Sequence, residues 1–168
     1  MRTMTQDSHL IPPPPGFEAV ELGGTFATAN GPLFARWYGE RLQLGFRVGP
    51  RHVNPGQNCH GGMLCTFADI LISTAAQYQA DIPRQFLPTI SLQVDFLAGA
   101  PMGSWVQGQA EILQVTRNLI FSQGLIQADE ELVMRASGVF RRGPLLPESA
   151  DDQALQLPGM PRRGQGSV

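Results

Sequence analysis

Lysine is absent: all twelve basic residues of this 168-residue chain are arginine. Charge of either sign is scarce, at 15% of residues with a net charge of −2. No basic run crosses the middle of the chain, so the electrostatic footprint of a nucleic-acid binder is missing. An arginine-only set still suits planar anions such as phosphate. Cysteine is also scarce. Cys59 and Cys65 are the only two, too few for a disulfide scaffold, and a reduced, cytoplasmic setting fits them. Where a signal peptide would need an apolar stretch, the chain has Asp7 and the run Pro12 to Pro15. No apolar segment approaches the ~20 residues of a membrane span. No glycine-rich dinucleotide or phosphate loop is present. His52 and His60 have no cysteine or carboxylate at ligand spacing, so no metal site is expected.

What is present is one domain's worth of patterned chain. Residues 1–15 are polar and then proline-rich and read as a flexible arm. Residues 143–168, with Gly143, Pro144, Pro147, Pro158 and Pro161, read as a flexible tail. The folded domain is expected over 16–142. Within it, segments 42–48, 89–97, 104–115, 118–127 and 132–141 alternate apolar and polar residues, and 33–38 is a shorter candidate. These predict antiparallel strands. Gly61 to Ala76 differs: apolar residues fall on every face, and Asp69 is its only charge. A helix of that kind belongs in a core. The expected fold is α+β, with five to six antiparallel strands wrapped around one long buried helix. The low charge content suggests that some surface is buried in an oligomer.

The chemistry concentrates in Asn54 to Asp69, NPGQNCHGGMLCTFAD. Gly61 and Gly62 at the start of the helix leave backbone N–H groups uncovered, and the helix dipole adds partial positive charge. That suits a developing oxyanion; equally, two glycines let a helix pack closely on a sheet. A lone carboxylate on an apolar helix is costly to bury unless a site or a partner solvates it. Asp69 is therefore either catalytic or held structurally by amides or an arginine. A Cys59–His60 nucleophile pair is disfavoured, because adjacent residues seldom face each other and no third group orients them. Trp37, Tyr38 and Trp105 read as packing or interface residues.

Asn54, His60, Gly61, Gly62 and Asp69, at this spacing and followed by four strands, resemble the hotdog-fold thioesterases of the PaaI-like and 4-hydroxybenzoyl-CoA thioesterase group. The resemblance covers about residues 33 to 142 and includes TISLQVDFLAGAPMG, TRNLIF and RASGVFRR. It implies acyl-CoA hydrolysis to a carboxylate and CoA, with no cofactor beyond the coenzyme A of the substrate, in a homodimer or dimer of dimers. It further implies that Asp69 is nucleophile or base and that the Gly61 N–H polarises the carbonyl. Asn54 would orient water or carbonyl, Thr89 would position water, and His60 would complete the catalytic set. Arg117, with Thr116 and Asn118, would meet the CoA phosphates. One departure stands out: where many relatives have a glycine three residues before the histidine, this chain has Gln57, with glycine at Gly56. The alternatives are a non-catalytic acyl-CoA-binding protein of the same fold and a hotdog hydratase, which normally uses a histidine paired with an acid in another motif. Met63, Phe67, Phe86, Leu87 and Phe96 are expected to line an apolar acyl pocket.

Overall fold

The computed structural model describes residues 11–22 and 24–147. The remainder of the expected arm and tail lies outside the described residues. Seven antiparallel strands form one sheet: β1 (Glu18–Val20), β2 (Leu33–Tyr38), β3 (Arg41–Arg47), β4 (Thr89–Phe96), β5 (Trp105–Val115), β6 (Leu119–Ala128) and β7 (Glu131–Arg141). Their order is β1-β2-β3-β5-β6-β7-β4. A short helix α1 (Thr25–Ala29) follows β1, and the long helix α2 (Gly61–Gln79) lies between β3 and β4. The six strands expected from alternation are all present. The seventh, β1, is three residues long and pairs with β2 through Glu18↔Ala35 and Val20↔Leu33.

The alternation places Leu42, Leu44, Phe46, Val106, Ile120, Ile126, Met134 and Phe140 beneath α2, all fully buried. Each such large apolar side chain contributes roughly 1.5–3 kcal/mol by leaving water. Helix α2 crosses β3 to β7 on this face. Its approach is close because β5 carries glycine under it: a Cβ on Gly108 would lie 2.6 Å from Leu71 Cδ2. No helix among the described residues is long and apolar enough to cross a membrane.

Two expectations change here. Helix α2 buries only one face within the chain, through Met63, Leu64, Phe67, Ala68, Leu71, Ile72, Ala75 and Ala76. The opposite face, with Cys65, Thr66, Asp69, Ile70 and Ser73, is half-exposed. The domain edges also extend further than composition suggested. Pro12 O accepts from Arg47 Nη2 and Pro15 O from Arg36 Nη1. Beyond 142, Gly143 N donates to Phe86 O and Phe86 N to Pro144 O, while Gln85 bridges Leu145. Residues 12–15 and 143–147 thus pair with the domain through backbone groups, which proline-rich composition does not forbid.

Candidate active site

The loop from Val53 to His60 is built by Asn54. Its Oδ1 accepts from Gly56 N at 2.9 Å and Asn58 N at 3.3 Å, closing a side-chain turn of the kind asparagine favours. Its backbone takes both ends of the same turn, with Asn54 N donating to Asn58 O and Asn54 O accepting from Gln57 N. Gln57 adopts φ 60°, the left-handed conformation that glycine would take without strain. The loop is turned here at Gln57, at the position where the family resemblance leads one to expect glycine. Asn54 is therefore first of all the organiser of this loop.

The loop delivers His60 to the N-cap of α2, where its Nδ1 accepts from Gly62 N at 2.9 Å. His60 N donates to His52 O, and Met63 N donates to His60 O. The first turn of a helix has four amides without helical partners. Three are now engaged, and the Gly61 N–H, among the described residues, makes no hydrogen bond. The capping role of His60 selects which amide stays free. A side chain at Gly61 would crowd β4: a Cβ there would lie 3.2 Å from the Phe96 ring, which would have to shift to admit it.

Asp69 lies two turns along the same helix, on its half-exposed face. Thr89, the first residue of β4, donates from Oγ1 to Asp69 Oδ1 at 2.7 Å. Strand β4 thus touches α2 at two points, Thr89 at Asp69 and Phe96 at Gly61. Among the described residues no arginine pairs with Asp69, and the side-chain contact of its carboxylate is that threonine.

The turn between β5 and β6 carries the three residues expected at the CoA phosphates. Thr116 Oγ1 donates to Leu119 O at 3.0 Å and accepts from Asn118 N and Leu119 N. One donor and two acceptor sites are all that a hydroxyl has, so Thr116 shapes the turn and has nothing left for a phosphate. Asn118 O accepts from Arg142 N and Thr116 O from Arg142 Nη1, which ties the turn to the end of β7. Arg117 stands exposed at its tip.

Other expected residues fall elsewhere. Cys59 is 5% exposed, and desolvation pushes its thiol up to about 12, so it is no nucleophile at neutral pH. His52 is buried with its Nδ1 accepting from Gly49 N. Met63 and Phe67 turn into the core, Phe67 against Phe46 with ring centroids 5.0 Å apart. Phe86 and Leu87 do line a cavity, beside α2. Sequence reasoning missed Gln85 in that cavity, since a glutamine between Arg84 and Phe86 carries no motif.

One long helix laid across a curled antiparallel sheet, with a carboxylate on its outer face, defines a hotdog domain. The sequence profile of the thioesterase superfamily matches residues 56–134. A Pseudomonas aeruginosa protein provisionally named an esterase is 30% identical over 128 residues, spanning 76% of this chain and 95% of its own. This chain belongs to the thioesterase superfamily. Among solved structures, the PaaI protein of the phenylacetic acid degradation operon of E. coli matches with a TM-score of 0.62 at 20% identity, over 74% of this chain and 89% of that one. A mutant PaaI from Thermus thermophilus matches with a TM-score of 0.61 at 20% identity, over 71% and 99%. A hypothetical thioesterase from Streptococcus pneumoniae, solved with coenzyme A, matches with a TM-score of 0.59 at 17% identity, over 68% and 88%.

Proposed function

We propose that this chain is an acyl-CoA thioesterase, acting as a homodimer or dimer of dimers, with Asp69 as nucleophile or general base. The observation that carries the reading is the free N–H of Gly61, left over when His60 engages its neighbours and set on the same helix as an outward carboxylate. In the base version, Asp69 takes a proton from water as the oxygen attacks the thioester carbon. The carbonyl oxygen becomes an oxyanion held by the Gly61 N–H. Collapse breaks the C–S bond, and the CoA thiolate leaves with a proton. In the nucleophile version, the carboxylate attacks first and water then opens the resulting anhydride. Thr89 positions the carboxylate, and Asn54 and His60 position the loop and the amide. Arg117 meets the CoA phosphates.

The oxyanion amide comes from a second copy of the chain. Among the described strands β4 pairs with β7 alone, which leaves a free edge of the kind that recruits another strand. Ile90, Phe96 and Leu97 are more than half exposed along it, beside the half-exposed face of α2. A two-fold pairing of β4 with its counterpart would cover both. The solved Streptococcus pneumoniae relative, which holds coenzyme A, supports a CoA ester as substrate.

The test is a hydrolysis screen across acyl-CoA thioesters of varied chain and aryl type, with Asp69→Asn as control. Asn is nearly isosteric and removes the charge. Hydrolysis by the wild type and a loss of about a hundredfold or more in the variant, with unchanged melting, supports the reading. Tight binding of the esters without hydrolysis would favour a non-catalytic acyl-CoA-binding protein instead.

A further inference from the structure

Helix α1 buries none of its residues, and its Phe26 is 66% exposed. The helix stands off the sheet, and the space behind it is a cleft of 490 Å³ between α1, β1 and β2. That size falls within the range of small-molecule sites, roughly 300–1,000 Å³. The walls are mostly apolar: Ala19, Val20 and Leu22 in and just after β1, Ala27 from α1, and Pro32 and Leu33 at the start of β2. None of the residues assigned above to the thioester chemistry or to the CoA phosphates lines it.

Two charged residues line the cleft, Arg51 and Glu21. They stand at opposite ends. Arg51, with Gly31 and Pro32, also borders a small cavity beside Phe34 and Trp105. Glu21, with Leu22, also borders the groove along α2 that Phe86 and Leu87 line. Arg51 is held by one hydrogen bond, from Nη1 to Ala29 O at 3.1 Å, at the last residue of α1. Among the described residues no acid pairs with it, and the rest of its guanidinium has no partner. A guanidinium fixed on one side presents its other N–H groups as a planar fork that matches a carboxylate. One positive and one negative residue leave the lining neutral. It therefore admits a single negative charge at Arg51 and opposes a doubly charged phosphate.

We infer that this cleft binds a monocarboxylate with an apolar tail, the carboxylate on Arg51 and the tail running along β1 towards Leu22. Residues 19–22 span about 10 Å of extended chain, which accommodates a tail of about eight carbons. The apolar walls shelter the methylenes from water. The inference is independent of Asp69, since the cleft shares no residue with the Asp69–Thr89 pair.

The experiment titrates octanoate, and octan-1-ol as its uncharged counterpart, into the full chain by calorimetry, with Arg51→Gln and Ala27→Trp as variants. Octanoate should bind at one site per chain, and octanol at least tenfold more weakly, since a charge-assisted hydrogen bond is stronger than a neutral one. Arg51→Gln removes the charge, and octanoate should then bind as weakly as octanol. Ala27→Trp fills the cleft from α1 and should abolish binding of both, with the melting temperature unchanged. Equal binding of octanoate and octanol to the wild type overturns the proposal. Octanoate binding that survives both variants also overturns it and places the ligand elsewhere, as a reaction product held at Asp69 would be. If Ala27→Trp does not fold, Arg51→Gln decides alone, and an unchanged octanoate affinity is fatal. No binding to the full chain at up to ~1 mM octanoate overturns the proposal too; the cleft is then filled by another part of this chain or by a second copy.

Discussion

Thr89 Oγ1 stands 2.7 Å from Asp69 Oδ1, joining the first residue of strand β4 to the middle of helix α2. The bond does two things. It satisfies one carboxylate oxygen that the chain otherwise leaves to solvent, and it fixes the rotamer of Asp69 relative to the sheet. Pre-positioning of a reacting group is worth most in the chemical step. Thr89→Val, which keeps the shape and removes the hydroxyl, should lower kcat about tenfold or more with KM little changed. Thr89→Ser should retain most of the activity. Steady-state kinetics on one acyl-CoA ester checks both, and a Ser variant as damaged as the Val variant would remove the hydroxyl from the mechanism.

Arg117 sits exposed at a turn that Thr116 shapes with its whole hydrogen-bonding capacity. Phosphate contacts remote from the thioester act as uniform binding. Arg117→Ala should therefore raise KM several-fold and leave kcat nearly unchanged. Thr116→Ala should produce a similar rise by loosening the turn, and it should also lower melting temperature, which Arg117→Ala should not. A collapse of kcat in Arg117→Ala would place the arginine at the chemistry instead.

Gln57 holds φ 60° at the turn where Asn54 folds the loop that leads into α2. A left-handed residue with a Cβ costs roughly 1–2 kcal/mol, while glycine loses about 0.4–1 kcal/mol more entropy on folding. The first effect is the larger. Gln57→Gly should stabilise the chain by about 0.5–1 kcal/mol, read as a higher denaturant midpoint with an unchanged slope. Gln57→Val should destabilise, since a β-branched residue is poorly tolerated at positive φ.

The strands and the helix are legible in the sequence because alternation and an apolar run are properties of many residues at once. Asp69 stands out for a local reason, a single charge in GGMLCTFADILISTAA. Strand β1 does not, since three residues of Glu-Ala-Val carry no period, and only the pairing with β2 makes them a strand. Thr116 reads as a phosphate contact because the family resemblance puts it there beside Arg117; that the turn engages the hydroxyl fully depends on backbone geometry. Met63 and Phe67 read as pocket residues because an all-round apolar helix does not say which face meets the sheet. The glycine at position 61 suggests a free amide, but which of four amides stays free is decided by the His60 cap.

Gly61 and Asp69 belong to one straight helix, eight residues apart, and so lie roughly 12 Å apart along its axis. Reacting groups must approach to about 3–3.5 Å. One chain therefore cannot use its own Gly61 amide and its own Asp69 on the same carbonyl. Two antiparallel copies of α2 can, each Gly61 facing the other chain's Asp69, and a two-fold axis makes two such sites. Asp69→Ala removes the carboxylate. Gly61→Val drives a side chain into the Phe96 ring, 3.2 Å from where a Cβ would sit, and blocks the amide. Each variant alone should be nearly inactive. In a mixed dimer both lesions fall in one site and the other site is intact, so each mixed dimer should regain about half of the wild-type activity, and an equal mixture about a quarter overall. Differently tagged chains, exchanged and purified as heterodimers, make the measurement. Verified heterodimers with no recovered activity would place the whole site within a single chain.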